Sequence, residues 1–337
     1  MKRIFLMLFI AGVFASCENF DVDHPDFDYT SGFFPYQYPV RTLVLGDYIY
    51  DNSNDNNHKF VISVAMGGVY ENKKDRVFNF EVDDDLCDQV LFESSGDTIK
   101  AMPQSYYTLS SDNQIVIPKG KFNGGIEVQL TDAFFADPLA VTGGYVIPLQ
   151  LTGSSDVDRI LVGSSGSQDA DPRVAGQWSE LPKDFTMFAV KYINEYHGTY
   201  FHYGRSLVKD ASGTVIEDTT YEAKYVEQNE TSKLVTTGRY QVSINTFLHS
   251  DIMGGNVDML LTFDGNNCSV TAPEGSIYSI SGTGVFKPKA YTWGNKERDG
   301  IELNFTVSDG TNTYEGTDVL VVRDRGVVME VYSPLVY

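Results

Sequence analysis

Period-two alternation of apolar and polar residues recurs along this chain, and it restricts the fold to sheets. Phe60, Ile62, Val64 and Met66 share one face of a predicted strand, and Phe78, Phe80 and Val82 alternate with Val77, Asn79 and Glu81. Ile126, Val128 and Leu130 alternate with Glu127 and Gln129; Tyr240, Val242 and Ile244 with Gln241 and Ser243; Ile301, Leu303, Phe305 and Val307 with Glu302, Asn304 and Thr306. Successive side chains of a strand point to opposite faces, so each segment puts one face in a core and one in water. Asn123-Gly124-Gly125, Asp264-Gly265, Asp309-Gly310 and Arg325-Gly326 supply the positive-φ residues that turns require. Only Asp85 to Phe92, with Asp83 or Asp84 as cap, suggests a helix, and a short one.

With 337 residues and 42% hydrophobic content, the chain suits two domains that fold without a disulfide framework. The clearest boundary is near Asn194: a Gly/Ser/Asp stretch from Gly163 to Gly176 precedes an apolar strand, Phe185 to Ile193, and a new strand series opens at His197-Gly198-Thr199-Tyr200. The expected division is a β-sandwich over 29–193 and a β-barrel-like domain over 194–337. Cys87 and Cys268, one per domain, read as buried free thiols.

The first residues read as a targeting segment. Lys2 and Arg3 precede the apolar run Ile4 to Phe14, which as a helix would rise about 16 Å, too short for a ~30 Å hydrocarbon core. Ala15-Ser16-Cys17 resembles the lipobox of bacterial lipoproteins, with Phe14 where leucine is commoner; the resemblance implies a signal over 1–17 and acylation of Cys17, which would anchor the chain in outer-membrane lipid. Residues 18–28, beginning Glu18-Asn19-Phe20-Asp21, resemble the acidic tether of Bacteroidetes lipoproteins carried to the outer face of the cell.

Two further resemblances cover most of the rest. Met102-Pro103-Gln104-Ser105-Tyr106-Tyr107, Ile115-Val116-Ile117-Pro118-Lys119-Gly120 and Tyr145-Val146-Ile147-Pro148-Leu149 resemble an immunoglobulin-like domain of unknown function on Bacteroidetes surface lipoproteins, which also precedes the barrel of some family-18 endoglycosidases. Pro103 and Pro148 are expected at strand starts or edges, where no ladder N–H is needed. Asn194-Glu195-Tyr196-His197-Gly198-Thr199-Tyr200, Gly282-Thr283-Gly284-Val285-Phe286 and Tyr314-Glu315-Gly316-Thr317 resemble the small β-barrel domain that follows it, lipocalin-like or related. The resemblance implies glycan handling beside a TonB-dependent transporter and its surface lipoprotein.

The formal net charge of −21 argues against nucleic acid, whose phosphates are bound by Lys and Arg. No Gly-x-Ser-x-Gly elbow, phosphate loop or His-Glu-x-x-His occurs, and no carboxylate pair stands out for glycoside hydrolysis. No catalytic residue, metal or cofactor is therefore expected. His197 and His202, five apart in a strand, point to opposite faces and cannot share a metal. Asp83-Asp84-Asp85 and the Asp51–Asp55 segment offer oxygens, but the latter lacks the glycine and terminal acid of a calcium loop, so both read as solvated loops.

Aromatics carry the binding expectation. A sugar presents an apolar C–H face and a rim of hydroxyls, which suits a flat ring beside amide or charged groups. Trp293 lies in Lys287-Pro288-Lys289-Ala290-Tyr291-Thr292-Trp293-Gly294-Asn295-Lys296, read as a loop in which Tyr291 and Trp293 turn one way and Asn295 supplies a donor. Trp178, between Gln177 and Ser179, is the second candidate. Against this, a tryptophan is more often packed than presented. The expected function is non-catalytic glycan binding as an accessory to polysaccharide capture; the alternative is a structural or adhesin-like lipoprotein that binds other proteins.

Overall fold

The alternating segments pair in two separate arrangements. The computed structural model describes residues 27–337, and within them the chain is all-β, a two-sheet sandwich joined to a closed eight-stranded barrel. The first sandwich sheet has the order Arg159–Ile160, Ser31–Phe33, Lys59–Gly67, Asn123–Leu130, Tyr107–Leu109. The second has the order Glu330–Val331, Pro39–Val44, Phe185–Ile193, Tyr145–Gly153, Arg76–Val82, Gln114–Ile117. Phe60, Ile62, Val64, Phe78, Phe80, Ile126 and Val128 all turn into the space between the sheets and are buried. The alternation predicted those faces.

Phe185–Ile193 and Tyr145–Gly153 do not alternate because both of their faces are covered. The second face carries its own small core of Val146, Phe185, Met187 and Ala189, closed by Leu86, Cys87, Val90, Ile99, Tyr332 and Val336. Tyr332 and Val336 come from the C-terminus: Glu330–Val331 pairs with Pro39–Val44, and Pro334–Val336 pairs with Val90–Phe92. The segment placed by sequence wholly in the second domain thus ends in the first. Phe185–Ile193 is likewise a central strand, parallel to Pro39–Val44 on one edge and antiparallel to Tyr145–Gly153 on the other.

Four local expectations are corrected. Asn123-Gly124-Gly125 is strand, paired with Ser63 to Ala65, rather than a turn. The expected helix shrinks to a single 3-10 turn, Asp84–Cys87, with the Asp83 carboxylate accepting the Asp85 N–H at 3.2 Å, and Val90–Phe92 is strand. Pro148 lies inside a central strand, but at a seam: the neighbouring edge is Lys100–Ala101 before it and Arg76–Val82 after it. Tyr240 is exposed in the turn before its strand, so the alternating face starts at Val242.

The barrel runs through Gly198–Lys209, Glu230–Gly238, Gln241–Phe247, Asn256–Asp264, Asn267–Thr271, Ser279–Trp293, Lys296–Ser308 and Thr313–Asp324, and the last of these pairs back along the whole of the first. The first strand divides its other edge between Glu230–Gly238 and a short outer strand, Val215–Tyr221. Tyr200, Leu234, Ile244, Met259, Leu261, Leu303, Phe305 and Leu320 fill the interior. Cys87 and Cys268 are free and buried, which pushes their thiols up to about 12 and about 11. Cys17 and the tether up to Asp26 lie outside the described residues. Among the described residues no helix is long and apolar enough to cross a membrane.

Candidate functional site

Three groups of contacts fix the junction of sandwich and barrel. Asn194 leaves the sandwich and is captured by the barrel: its N–H donates to Thr236 Oγ1 (3.0 Å), and its side-chain amide donates to the carbonyls of Gly238 (3.0 Å) and Gln241 (2.9 Å). Arg325, just past the last barrel strand, reaches back with Nη1 to the Asp47 carbonyl (3.0 Å) and with Nη2 to those of Leu45 (3.0 Å) and Asn194 (2.5 Å). The loop it holds bends at Gly46, φ +82°, where a Cβ would stand 2.4 Å from that of Glu195. Arg239 of the barrel adds an ion pair with Asp132 at 2.7 Å.

Beside this clamp is a cleft of 540 Å³, walled on one side by Asp47, Tyr48 and Ile49 and on the other by Lys289, Lys296, Arg298 and Asp299. The sandwich wall is rigid for a local reason. Asn52 Nδ2 donates to the carbonyls of Val44 and Gly46 (2.7 Å each), Asp55 accepts the Val44 N–H (2.9 Å) and the Arg41 guanidinium, and Asn56 accepts the Gly46 N–H (2.8 Å). The Asp51–Asp55 oxygens weighed for calcium are therefore engaged in holding the loop; burial raises the Asp55 carboxyl against the hydrogen bond from Val44 and the charge of Arg41. On this support Ile49 and Tyr50 are 72% and 71% exposed, and the Tyr48 and Tyr50 rings meet edge to face at 5.7 Å.

The opposite wall is a hairpin, not the loop expected from sequence. Strand Ser279–Trp293 continues through a bulge to a two-residue turn, Gly294-Asn295, with φ +60° and +58°, the positive pair of a type I′ hairpin. In the bulge Lys289 gives its N–H to Asp299 Oδ1 (2.8 Å) and its ammonium to Asp47 (3.0 Å) across the cleft.

Trp293 and Tyr291 come together here, but neither is presented to a ligand as a free stacking ring. The Trp293 N–H donates to the Val322 carbonyl (2.8 Å), the Phe201 ring meets it edge-on at 5.1 Å, and the Arg298 guanidinium lies 4.2 Å over its face. Tyr291 packs on Gly300 and donates to Glu302 (2.7 Å); burial and this carboxylate raise its hydroxyl pKa. Trp293 is thus a shelf for Arg298, and Arg298 rather than the indole faces the cleft. Asn295 is exposed at the turn. Trp178 is elsewhere: it donates to the Asp171 carbonyl (2.8 Å) and packs on Gly163, in the loop bordering a separate 620 Å³ groove of the sandwich.

The histidines include one arrangement that sequence did not reveal. His202 turns into the barrel, with Ser232 Oγ 2.8 Å from Nδ1 and Asp318 Oδ2 2.7 Å from Nε2; Asp318 also accepts the Tyr221 hydroxyl. Ser232, His202 and Asp318 are 8%, 1% and 2% exposed, and the Tyr221 and His249 rings stack beside them at 3.7 Å. A nucleophile needs room for a substrate carbonyl about 3 Å away; this trio is instead a sealed internal hydrogen-bond network. Among the described residues no group of three His, Cys, Asp or Glu side chains is placed to hold a metal.

Fold and cleft define a two-domain all-β protein with a recess at a clamped domain junction. It belongs to the same family as a protein of unknown function from Bacteroides ovatus whose crystal structure is 36% identical, covers 92% of this chain and all of its own, and has a TM-score of 0.86. Residues 195–326 match the family DUF5627, a domain of unknown function, and residues 27–158 match a family described as an N-terminal domain. The first match stops where the chain leaves the barrel for the sandwich. No curated protein matches the chain. Two other solved structures share little beyond extent: a protein of unknown function from Bacteroides ovatus (12% identity, 90% of this chain and 100% of that one, TM-score 0.44) and an auxiliary nutrient binding protein from Bacteroides thetaiotaomicron (11%, 84% and 90%, 0.41). At that distance neither neighbour's function transfers.

Proposed function

We propose that this chain is a non-catalytic glycan-binding lipoprotein, acylated at Cys17 and exposed at the outer membrane, where it assists polysaccharide capture beside a TonB-dependent transporter. The observation that carries the reading is the junction cleft, with half-buried Tyr48 and exposed Ile49 on one lip and Lys289, Lys296, Arg298 and Asp299 on the other. An aromatic lip takes the C–H face of a sugar and a charged lip takes its hydroxyls, and sites of this kind favour domain interfaces. The stacking surface is therefore Tyr48, with the Tyr50 ring edge-on beside it, in place of Trp293.

The test is a glycan-array screen of the protein from residue 28 onward, followed by calorimetry of any hit on Tyr48→Ala, Arg298→Ala and Tyr240→Ala. Base stacking on aromatics contributes about 1–3 kcal/mol, and a comparable loss here weakens affinity roughly 5-fold to 150-fold in the first two variants. Tyr240, exposed away from the cleft, serves as the control. Absence of any glycan hit, or equal loss in all three variants, overturns the assignment.

A second reading has its own support. The 620 Å³ groove beside Trp178 is bordered by Tyr36, Leu181 and Leu335, which are 52%, 56% and 49% exposed, an apolar surface suited to a protein partner. Retention of one partner from membrane extracts, lost in Leu181→Asp, with no glycan hit, favours that reading.

A further inference from the structure

Arg325 is a buried cation without a counter-ion. It is 8% exposed, its three hydrogen bonds all go to neutral carbonyls, and its Nε is buried with no partner. None of the ion pairs among the described residues involves it, and Glu195 and Asp299 act on it only from a distance. An isolated buried charge is costly unless paired, so what faces Arg325 is informative.

On the side away from the glycan cleft, Arg325 lines a second recess, of 240 Å³, between sandwich and barrel, together with Thr42, Lys191, His197, Lys233 and Glu330. Thr42 is also 8% exposed, and its hydroxyl is a second buried polar atom with no partner. His197 Nδ1 accepts the Thr236 N–H at 3.1 Å, so the neutral ring carries its proton on Nε2. Lys191 pairs with Glu330 at 2.7 Å, whereas Lys233 is in none of the ion pairs among the described residues. The wall therefore carries three cations and one carboxylate, in a chain whose net charge is −21. Its unpaired groups, the Thr42 hydroxyl, the Arg325 Nε–H, the His197 Nε2–H and the Lys233 ammonium, are all able to donate. At about 30 Å³ per water, the recess has room for a tetrahedral oxyanion with part of its hydration shell.

We propose that this recess is an oxyanion site for sulfate or phosphate, either as the free ion or as the ester group of a glycan, bound by Arg325, Thr42, His197 and Lys233. A ligand there bridges sandwich and barrel and neutralises the buried guanidinium that holds them together. The site is distinct from the glycan cleft: the two share the Arg325, Gly326 and Val327 segment, but Thr42, His197 and Lys233 line only this recess.

The experiment is thermal unfolding of the full chain in sodium sulfate and sodium phosphate, between roughly 0.1 and 20 mM, against sodium chloride at matched ionic strength. The expected result is a saturable rise in Tm of a few degrees. Lys233→Gln, which changes an exposed side chain, and Thr42→Val, which keeps shape, should each raise the half-saturating concentration about tenfold, the scale of one charge-assisted hydrogen bond. Preferential exclusion of sulfate also stabilises proteins, but that effect does not saturate and is the same in wild type and variants. A sulfated disaccharide separates the two sources: half-saturation at least about tenfold below that of inorganic sulfate assigns the ester group, and an equal or weaker response assigns the free ion. A linear response only, or saturation unchanged in both variants, means that the donors face water alone and overturns the proposal.

Discussion

Arg325→Met isolates the contribution of the interdomain clamp, because methionine keeps most of the side chain's length without its charge or donors. Three hydrogen bonds are lost, to the carbonyls of Leu45, Asp47 and Asn194. At about 1.5–3 kcal/mol for each bond from a charged donor, the gross loss is about 5–9 kcal/mol. Against it, methionine carries no charge into the junction, and the effective penalty for a buried ion is several kcal/mol. The net expected destabilisation is about 2–4 kcal/mol, a factor of roughly 30 to 1,000 in the folding equilibrium. The two tryptophans, Trp178 in the sandwich and Trp293 on the barrel, give each domain its own reporter. In urea, Trp178→Phe and Trp293→Phe backgrounds should report one shared transition with Arg325 present and two separated transitions once Arg325→Met is added. His197 supplies an independent reading: burial first, then Arg325, Lys233 and Lys191, holds its ring down at about 4, so removing Arg325 should raise its titration midpoint by NMR. A variant within about 0.5 kcal/mol of wild type, with coincident transitions, would refute the clamp.

Because His197 is neutral in the fold down to about 4 and titrates near 6.5 when unfolded, its contribution is complete above pH 6.5 and is lost as the pH falls toward 4; the loss should be about 3 kcal/mol and absent in His197→Gln, by urea midpoints across that range. Trp293→Ala should lower stability by about 1–3 kcal/mol, through the bond to Val322 and the packing of Phe201 and Arg298, and should weaken glycan binding only through displacement of Arg298; unchanged stability with lost binding would restore the indole as the stacking surface. Removal of residues 327–337 should destabilise the sandwich and spare the barrel, since Tyr332 and Val336 cover the outer core of the sandwich; a fragment spanning 195–326 with a cooperative melt is the matching check. Cys17→Ala should abolish palmitate labelling and release the exported protein from membranes, and a variant still labelled and bound refutes the anchor.

The parts of the fold legible in sequence are those governed by local periodicity. A strand with one wet face advertises itself, as at Phe60 to Met66 and Ile301 to Val307, because burial of alternate residues is decided within the segment. Phe185–Ile193 was legible as apolar but not as central, since its second cover comes from Tyr332 and Val336, far along the chain. Gly124 and Gly125 mimicked a turn, although they are strand residues facing Ser63 and Val64. The site was less legible still. Tyr291, Trp293, Asn295 and the lysines fall on one hairpin of the candidate cleft, but its other wall is Asp47, Tyr48 and Ile49, more than two hundred residues earlier. The available signal was the break in alternation at Leu45-Gly46-Asp47-Tyr48-Ile49-Tyr50, which leaves aromatics beside a glycine with no apolar face to join.

The C-terminal return changes what the junction can do. A barrel attached only through Asn194 would be free to swing, and a cleft with walls from both domains would then exist for part of the time. Here the chain crosses the junction twice, at Asn194 and again after Arg325, and Glu330–Val331 is built into the sandwich sheet while Lys191 pairs with Glu330. Both crossings meet at one guanidinium, because Arg325 binds the Asn194 carbonyl of the first crossing and lies at the start of the second. The opposing walls of the cleft are thereby held in register, and such preorganisation would lower the ordering cost of the proposed binding. It also explains why a poorly compensated charge sits at this point: a single arginine can reach three carbonyls from two segments, and a carboxylate partner on either domain would occupy the donors that join them.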